Sequence, residues 1–290
     1  MSQPANDPEM ASRRPQLLDV DGWVFDVDGT LVLGDTRLKG YRPLPGAVEL
    51  LDRLQREGRP FVAFTNGTTK TPAEYARTLR ALDLPIDEQR MVTPVSVAID
   101  LFRRRGHHRL LVLGVEGVWR PLAEAGFDVV VSPKAADGVQ AVLVGWHPEF
   151  ALADLEVASQ ALWAGARFYT VSSAPFFAAA GGRALGVSGA ITAALRNVTG
   201  RRAFVVGKPA QQALRAAAAR MGLRPDRVAV VGDDPVLEIA MARRGGAKAV
   251  AVHTGNNDAA AFAAASPDLR PHLSLRGVDE LLARLEGASG

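Results

Sequence analysis

The stretch Trp23-Val24-Phe25-Asp26-Val27-Asp28-Gly29-Thr30 joins an apolar run to two aspartates and a glycine. Its apolar residues read as a buried strand and its polar residues as the tip where that strand ends. Asp26 and Asp28 stand two apart in extended chain, so their side chains project to one side, while Gly29 lets the backbone turn away tightly. An isolated DxDG is better read as an Asx turn closing a strand. The recurrence of the pattern decides otherwise: FVAF leads into Thr65-Asn66-Gly67, AFVVG into Lys208-Pro209, and VAVVG into Asp233-Asp234.

Working outward, short Val- and Phe-rich runs alternate with Ala/Leu/Arg stretches of helical period, the pattern of βα units in a parallel sheet. The runs are Trp23 to Val27, Phe61 to Thr65, Leu110 to Leu113, Ala141 to Val144, Ala203 to Val206, Val228 to Val231 and Ala249 to Val252. Gly46 to Glu57, Pro72 to Leu82 and Gln211 to Met221 read as helices, with Pro45 and Pro72 where a helix begins. The expected fold is a doubly wound, Rossmann-like α/β core built from residues 17–92 and 203–290, with an α/β domain inserted at 93–202. A flexible tail is expected at 1–16, a turn at Gly181-Gly182, and fraying over Glu286 to Gly290.

In an open parallel sheet the strand C-termini share one edge, and ligands bind in the crevice beyond it. The four polar tips are therefore expected to converge. Three carboxylates with a backbone carbonyl make the hard oxygen set that magnesium prefers. A lysine adds a compact positive charge, and a threonine hydroxyl with a backbone amide adds donors for phosphate oxygens. This set suits phosphoryl transfer. A P-loop is ruled out, because GxxxxGK[ST] is absent and Pro209 follows the lysine.

With 290 residues, 48% hydrophobic and 22% charged, the chain has enough apolar surface for real cores and too ordinary a composition for disorder. It has no cysteine, which excludes disulfides, thiolate metal sites and a cysteine nucleophile and suits a reducing compartment. No apolar run is long enough for a signal core or a membrane span, so a soluble cytoplasmic protein without a membrane partner is expected. The net charge of +3 comes largely from scattered arginines. The one cluster, Arg103, Arg104, Arg105, His107, His108 and Arg109, reads as a solvated helix end, and no nucleic-acid partner is expected.

The ordered motifs DVDGT, FTN, GKP and GDD, at 26, 65, 208 and 233, resemble the four motifs of the haloacid dehalogenase (HAD) superfamily. The insertion between the second and third resembles subfamily IIA, which includes nucleotide monophosphatases, pyridoxal phosphate phosphatase and phosphoglycolate phosphatase. PLPGAVELLDRL, AEYARTLRALDL, GVEGVWRPLAEAGF, AVLVGWHPEF and VHTG match that subfamily's style, so the resemblance covers about Gly22 to Leu285. It implies a phosphatase with Asp26 as nucleophile and Asp28 as general acid and then base. It further implies Thr65, the amide of Asn66, Gly67 and Lys208 around the transferring phosphoryl group. Magnesium is implied on Asp26, Asp233 and the carbonyl of Asp28, the substrate is implied to be a small phosphorylated metabolite, and a homodimer is allowed.

The chain departs from the family pattern in two places. Glu238 stands where the fourth motif usually has a second aspartate, and is read either as an outer-shell acid acting through a water or as a plain helix-face glutamate. Asp234 is the alternative outer-shell acid. In the inserted domain Ser172 and Ala174 replace an Asn and an Asp that relatives place near substrate. His147 is a further candidate substrate contact, while Trp146 and Phe150 read as buried structure. The changes keep open a catalytically weak phosphometabolite-binding protein. Other HAD chemistries fit less well: Asp28 serves no leaving group in dehalogenation, and the insertion's place argues against phosphonate hydrolysis.

Overall fold

The computed structural model describes residues 19–35, 40–135, 137–179, 182–255 and 257–287. The tail at 1–16, Gly181 and residues 288–290, of which a flexible end, a turn and fraying are expected, lie outside the described residues.

Along the chain, β1 (Gly22–Asp26) leads into a hairpin of β2 (Val32–Asp35) and β3 (Gly40–Pro43), then α1 (Ala47–Arg56), β4 (Phe61–Phe64), α2 (Pro72–Arg80) and β5 (Met91–Val92). There follow α3 (Pro94–Arg105), β6 (Arg109–Leu113), α4 (Glu116–Glu124), β7 (Asp128–Val131), β8 (Ala141–Val144), α5 (Leu152–Trp163) and β9 (Arg167–Thr170). A hairpin of β10 (Phe176–Ala179) and β11 (Gly182–Leu185) precedes α6 (Val187–Thr199) and β12 (Phe204–Val205). The chain continues with α7 (Gln211–Arg220), β13 (Val228–Gly232), α8 (Ala240–Gly245), β14 (Lys248–Val252), α9 (Ala259–Ala264), β15 (Leu273–Leu275) and α10 (Val278–Gly287).

Two parallel sheets organise these elements. The first has six strands in the order β15-β14-β13-β1-β4-β5, and the second five in the order β12-β9-β8-β6-β7. β1 is buried along its whole length because it lies inside the first sheet with helices on both faces. Trp23 and Phe25 pack on the side of Leu50, Leu51 and Leu54 of α1 and Leu281 of α10. Val24 faces the other side, where one apolar cluster runs through Val95 and Phe102 of α3 to Leu110 and Val112 of the second sheet. α3 thus joins the cores of the two sheets.

The helices form where local chemistry favours them. α1 buries Ala47, Leu50, Leu51 and Leu54 on one stripe and carries Glu49 in its first turn and Arg53 and Arg56 in its last, matching the helix dipole. α2 begins with a Thr71/Glu74 capping box and Pro72 in its first turn.

One expectation is corrected. Ala203 to Val206 reads in sequence as a core strand, yet β12 pairs in register with β9, Phe204 beside Tyr169 and Val205 beside Thr170. The strand that precedes Lys208 therefore belongs to the second sheet. An apolar run records that a strand is buried and carries no label for the sheet that buries it.

Candidate active site

The carboxyl edge of the first sheet brings together Asp26 at the end of β1, Thr65 just after β4, and Asp233 just after β13. β1 pairs directly with both β4 and β13, so these tips are neighbours across the sheet. Lys208 enters from the second sheet. Asp26, Thr65, Lys208, Asp233 and Glu238 are all buried, at 7%, 4%, 2%, 5% and 1% exposure. Five polar side chains withdrawn from water at one sheet edge are costly to desolvate unless they satisfy one another or a ligand.

Lys208 is the hub. Its Nζ donates to Asp26 Oδ1 at 2.5 Å and to the Phe64 carbonyl at 3.0 Å, and lies 2.5 Å from Glu238 Oε1. Burial opposes the ammonium charge, but the two carboxylates outweigh it and hold the lysine above its ordinary range. Burial lifts the Glu238 carboxyl above its usual range, and Asp26 and Asp233 add to the effect while Lys208 opposes it. Glu238 is thus buried beside the lysine rather than standing on a solvated helix face. Asp234, the other candidate acid, caps the helical turn Pro235–Ile239, accepting from the amides of Val236 and Leu237.

Asp28 sits on the turn that closes β1. The Gly29 amide donates to the Val32 carbonyl at 2.8 Å, and Gly29 has φ 83, a left-handed conformation that glycine adopts without strain. A Cβ there would lie 2.7 Å from Asp233 Oδ2, so only glycine lets the two tips approach. Burial first, and the neighbouring Asp26 charge second, raise the Asp28 carboxyl to about 6. Its hydrogen-bond partners are the Tyr41 hydroxyl, from the β2/β3 hairpin, and the Thr65 hydroxyl at 3.5 Å.

Asn66 and Gly67 shape the tip of β4. The Asn66 side chain is occupied by the backbone of Lys208. The Gly67 amide donates to Thr65 Oγ1 at 3.0 Å, tightening the turn.

No group of three or more His, Cys, Asp or Glu side chains converges as a metal cage among the described residues. The expected donor set needs only two carboxylates, Asp26 and Asp233, with the Asp28 carbonyl. The carboxylates of Asp26 and Asp233 with the Asp28 carbonyl offer hard oxygens at one buried edge, a donor set that suits a divalent cation.

Comparison with known proteins supports this architecture. A haloacid dehalogenase-like hydrolase model matches residues 23–128, and a HAD-hydrolase-like model matches 205–281. Human chronophin is 30% identical over 292 residues, covering 95% of this chain and 97% of its own. The chain belongs to the haloacid dehalogenase-like hydrolases. Within the HAD enzymes it falls among the subfamily IIA phosphatases. A sugar-phosphatase of Bacillus subtilis is 29% identical, covering 81% of this chain and 84% of its own. The crystal structure of a glycerol phosphate phosphatase from Mycobacterium tuberculosis in complex with magnesium superposes with TM-score 0.78 at 28% identity, covering 91% of this chain and 77% of that one.

The inserted segment of this HAD chain meets the core beside the third motif. A Cβ on Gly207 would collide with the Val171 carbonyl and lie 2.6 Å from Asn66 Oδ1, so Ser172 follows directly on a point of contact with the site. The Ser172 hydroxyl accepts from the Ala174 amide at 3.2 Å, and Gly186 and Gly189 of the GVSG stretch pack on the Ala174 carbonyl. His147 follows β8: its Nε2 lies 3.3 Å from Asp154, which also accepts from the Ser132 hydroxyl and the Ala151 amide, and its ring meets Phe150. Trp146 and Phe150 are half-buried rather than buried.

Sequence reasoning passed over three contributors. Tyr41 lies on a hairpin that no apolar run announces. Thr254 Oγ1 donates to the Gly29 carbonyl at 2.7 Å, and Asn257 Nδ2 to the Asp233 carbonyl at 3.0 Å. The VHTG stretch, noted only as a likeness, was the available signal for Thr254.

Proposed function

We propose that this chain hydrolyses small phosphomonoesters with magnesium at the aspartate edge and Asp26 as nucleophile, the inserted segment from 93 through β12 acting as a cap over the core formed by 19–92 and 207–287. The observation that carries the reading is the buried cluster in which Lys208 bridges Asp26 and Glu238 beside Asp28 and Asp233. Asp26 and Asp233, through carboxylate oxygens, and Asp28, through its carbonyl, would hold the metal; when bound it offsets the repulsion between a carboxylate nucleophile and a phosphate dianion.

A carboxylate oxygen of Asp26 attacks phosphorus, the new O–P bond forming as the bond to the alcohol oxygen breaks. Asp28 gives its proton to that departing oxygen, a role that suits a carboxyl raised to about 6. Water then attacks the aspartyl-phosphate, Asp28 takes its proton, and phosphate leaves. The Thr65 hydroxyl and the Asn66 amide hold the phosphoryl oxygens, and the Lys208 ammonium balances their charge. Glu238 keeps that ammonium placed, which weakens the case for a merely binding protein. In the cap, Ser172 to Phe176 offers hydroxyls and apolar surface, favouring a neutral leaving group such as a polyol, sugar or nucleoside. The test is phosphate release from a panel of phosphomonoesters with magnesium and with chelator. Metal-dependent turnover supports the reading; saturable binding without turnover of any ester favours the binding protein.

A further inference from the structure

At the amino-terminal ends of β9 and β12, away from the aspartates, a second polar cluster forms around Tyr169. α3 ends at Arg105, and Gly106, at φ 67, reverses the chain so that His107 returns beneath it. Arg105 Nη1 donates to the Tyr169 hydroxyl at 2.8 Å, and His107 Nε2 lies 2.9 Å from the same oxygen. The Arg105 guanidinium also lies over Phe204, 4.9 Å from its centroid. Tyr169 is fully buried while its register partner Phe204 is 41% exposed, so an aromatic shelf reaches the surface beside a fixed guanidinium. A cavity of about 160 Å³ opens there, lined by Arg105, Arg167, Arg201, Arg202, Tyr169 and Phe204.

The charge of this cavity is unbalanced. Among the described residues none of its four arginines lies in an ion pair, and no Asp or Glu lines it. Several arginines elsewhere are matched, Arg109 with Asp128, Arg120 with Glu74 and Glu116, Arg227 with Asp21 and Arg244 with Asp268, while other arginines without a carboxylate partner do not share a cavity with three more. A cavity of about 350 Å³ beside the amino-terminal end of β4 also holds arginines, but Arg90 and Arg220 there donate to backbone carbonyls. His107 senses the imbalance: burial, and then Arg105, Arg167 and His108, hold its imidazole below the usual range. Like charges gathered on neighbouring strands repel one another, and a multiply charged anion relieves that repulsion while satisfying several guanidinium forks at once.

We propose that the cavity between Arg105, Arg167, Arg202 and Phe204 binds a phosphate-bearing anion, at a site separate from the aspartate edge. Several guanidinium forks lining one small cavity favour a compact group with several charged oxygens over a single carboxylate. Arg167 opens β9 and Arg202 precedes β12, whereas Lys208 follows the far end of β12, so the cavity lies at the end of the second sheet away from the lysine that reaches the aspartates.

The experiment is calorimetric titration of the whole chain with sodium pyrophosphate, at low ionic strength and with chelator present. Saturable one-to-one binding is expected. It should weaken at least tenfold in an Arg167→Gln/Arg202→Gln variant, whose two side chains are exposed and whose circular dichroism should match the wild type. It should also weaken with added salt, as unscreened charges require. Absence of saturable binding overturns the proposal. So does binding that survives in the double variant and disappears in Lys208→Met, which would assign it to the aspartate edge. Tight binding of a single-stranded oligonucleotide with none of pyrophosphate would make the patch a nucleic-acid surface and likewise overturn it.

Discussion

The side-chain amide of Asn66 closes on the backbone of Lys208 from both sides, Nδ2 donating to its carbonyl at 3.0 Å and Oδ1 accepting from its amide at 2.8 Å. This clasp ties the tip of β4 in the first sheet to the segment that leaves β12 in the second. It explains how a lysine delivered from another sheet arrives beside Asp26. Asn66→Ala strands both partners, at about 1–3 kcal/mol for each unsatisfied group. The expected outcome is a fall in kcat of roughly 10- to 100-fold, with a lowered melting temperature. Unchanged kcat in a folded variant would show that the clasp does not position Lys208.

Asp26→Asn is expected to stay folded, since the amide is nearly isosteric, and to lose turnover by about 10⁴- to 10⁶-fold, on the scale of other lost nucleophiles. Steady-state assays with a sensitive phosphate reporter check it. A residual rate near wild type would sink the covalent mechanism.

Chelator is expected to abolish turnover and added magnesium to restore it, because the Asp26 and Asp233 carboxylates would otherwise repel a phosphate dianion. Manganese should substitute, and calcium should inhibit through its larger, looser coordination. The measurement is activity against free metal concentration; full activity in excess chelator contradicts the site.

Asp28, raised to about 6 by burial and by Asp26, carries its proton below that pH and loses it above. The sign follows for catalysis: kcat for a poor alcohol leaving group should decline as pH rises through about 6, whereas nitrophenolate, which needs little protonation, should show a shallower decline. Asp28→Asn should remove the difference and damage the alkyl ester more. Parallel pH profiles for both esters in the wild type would show that Asp28 is not the acid.

Glu238→Ala removes one of the two carboxylates that hold a buried ammonium. Breaking a buried pair in this way costs about 3–5 kcal/mol, and the loss should appear in the urea midpoint at neutral pH. Glu238→Gln, which keeps shape and an acceptor, should cost less. Equal stability of the alanine variant and the wild type would mean that Asp26 alone suffices for Lys208.

The sequence by itself determined the parallel α/β class, most of the central strands and the candidate chemistry of their tips. Apolar runs of strand length, helical periodicity and motif order are local properties, and Asp26-Val27-Asp28-Gly29 carries its turn geometry within four residues. Local signals stopped at the short and the half-buried: β5 has two residues, and the β2/β3 hairpin that brings Tyr41 to Asp28 has no apolar run to reveal it. Only the tertiary structure decided that β12 pairs with β9, that Glu238 faces Lys208, that His147 pairs with Asp154, and that Arg105 folds onto Tyr169. Apart from the His147–Asp154 pair, which spans one loop, those facts join residues 30 to 64 positions apart, and a partner at that distance is chosen by which surfaces the folded chain buries together and which charges it leaves without water.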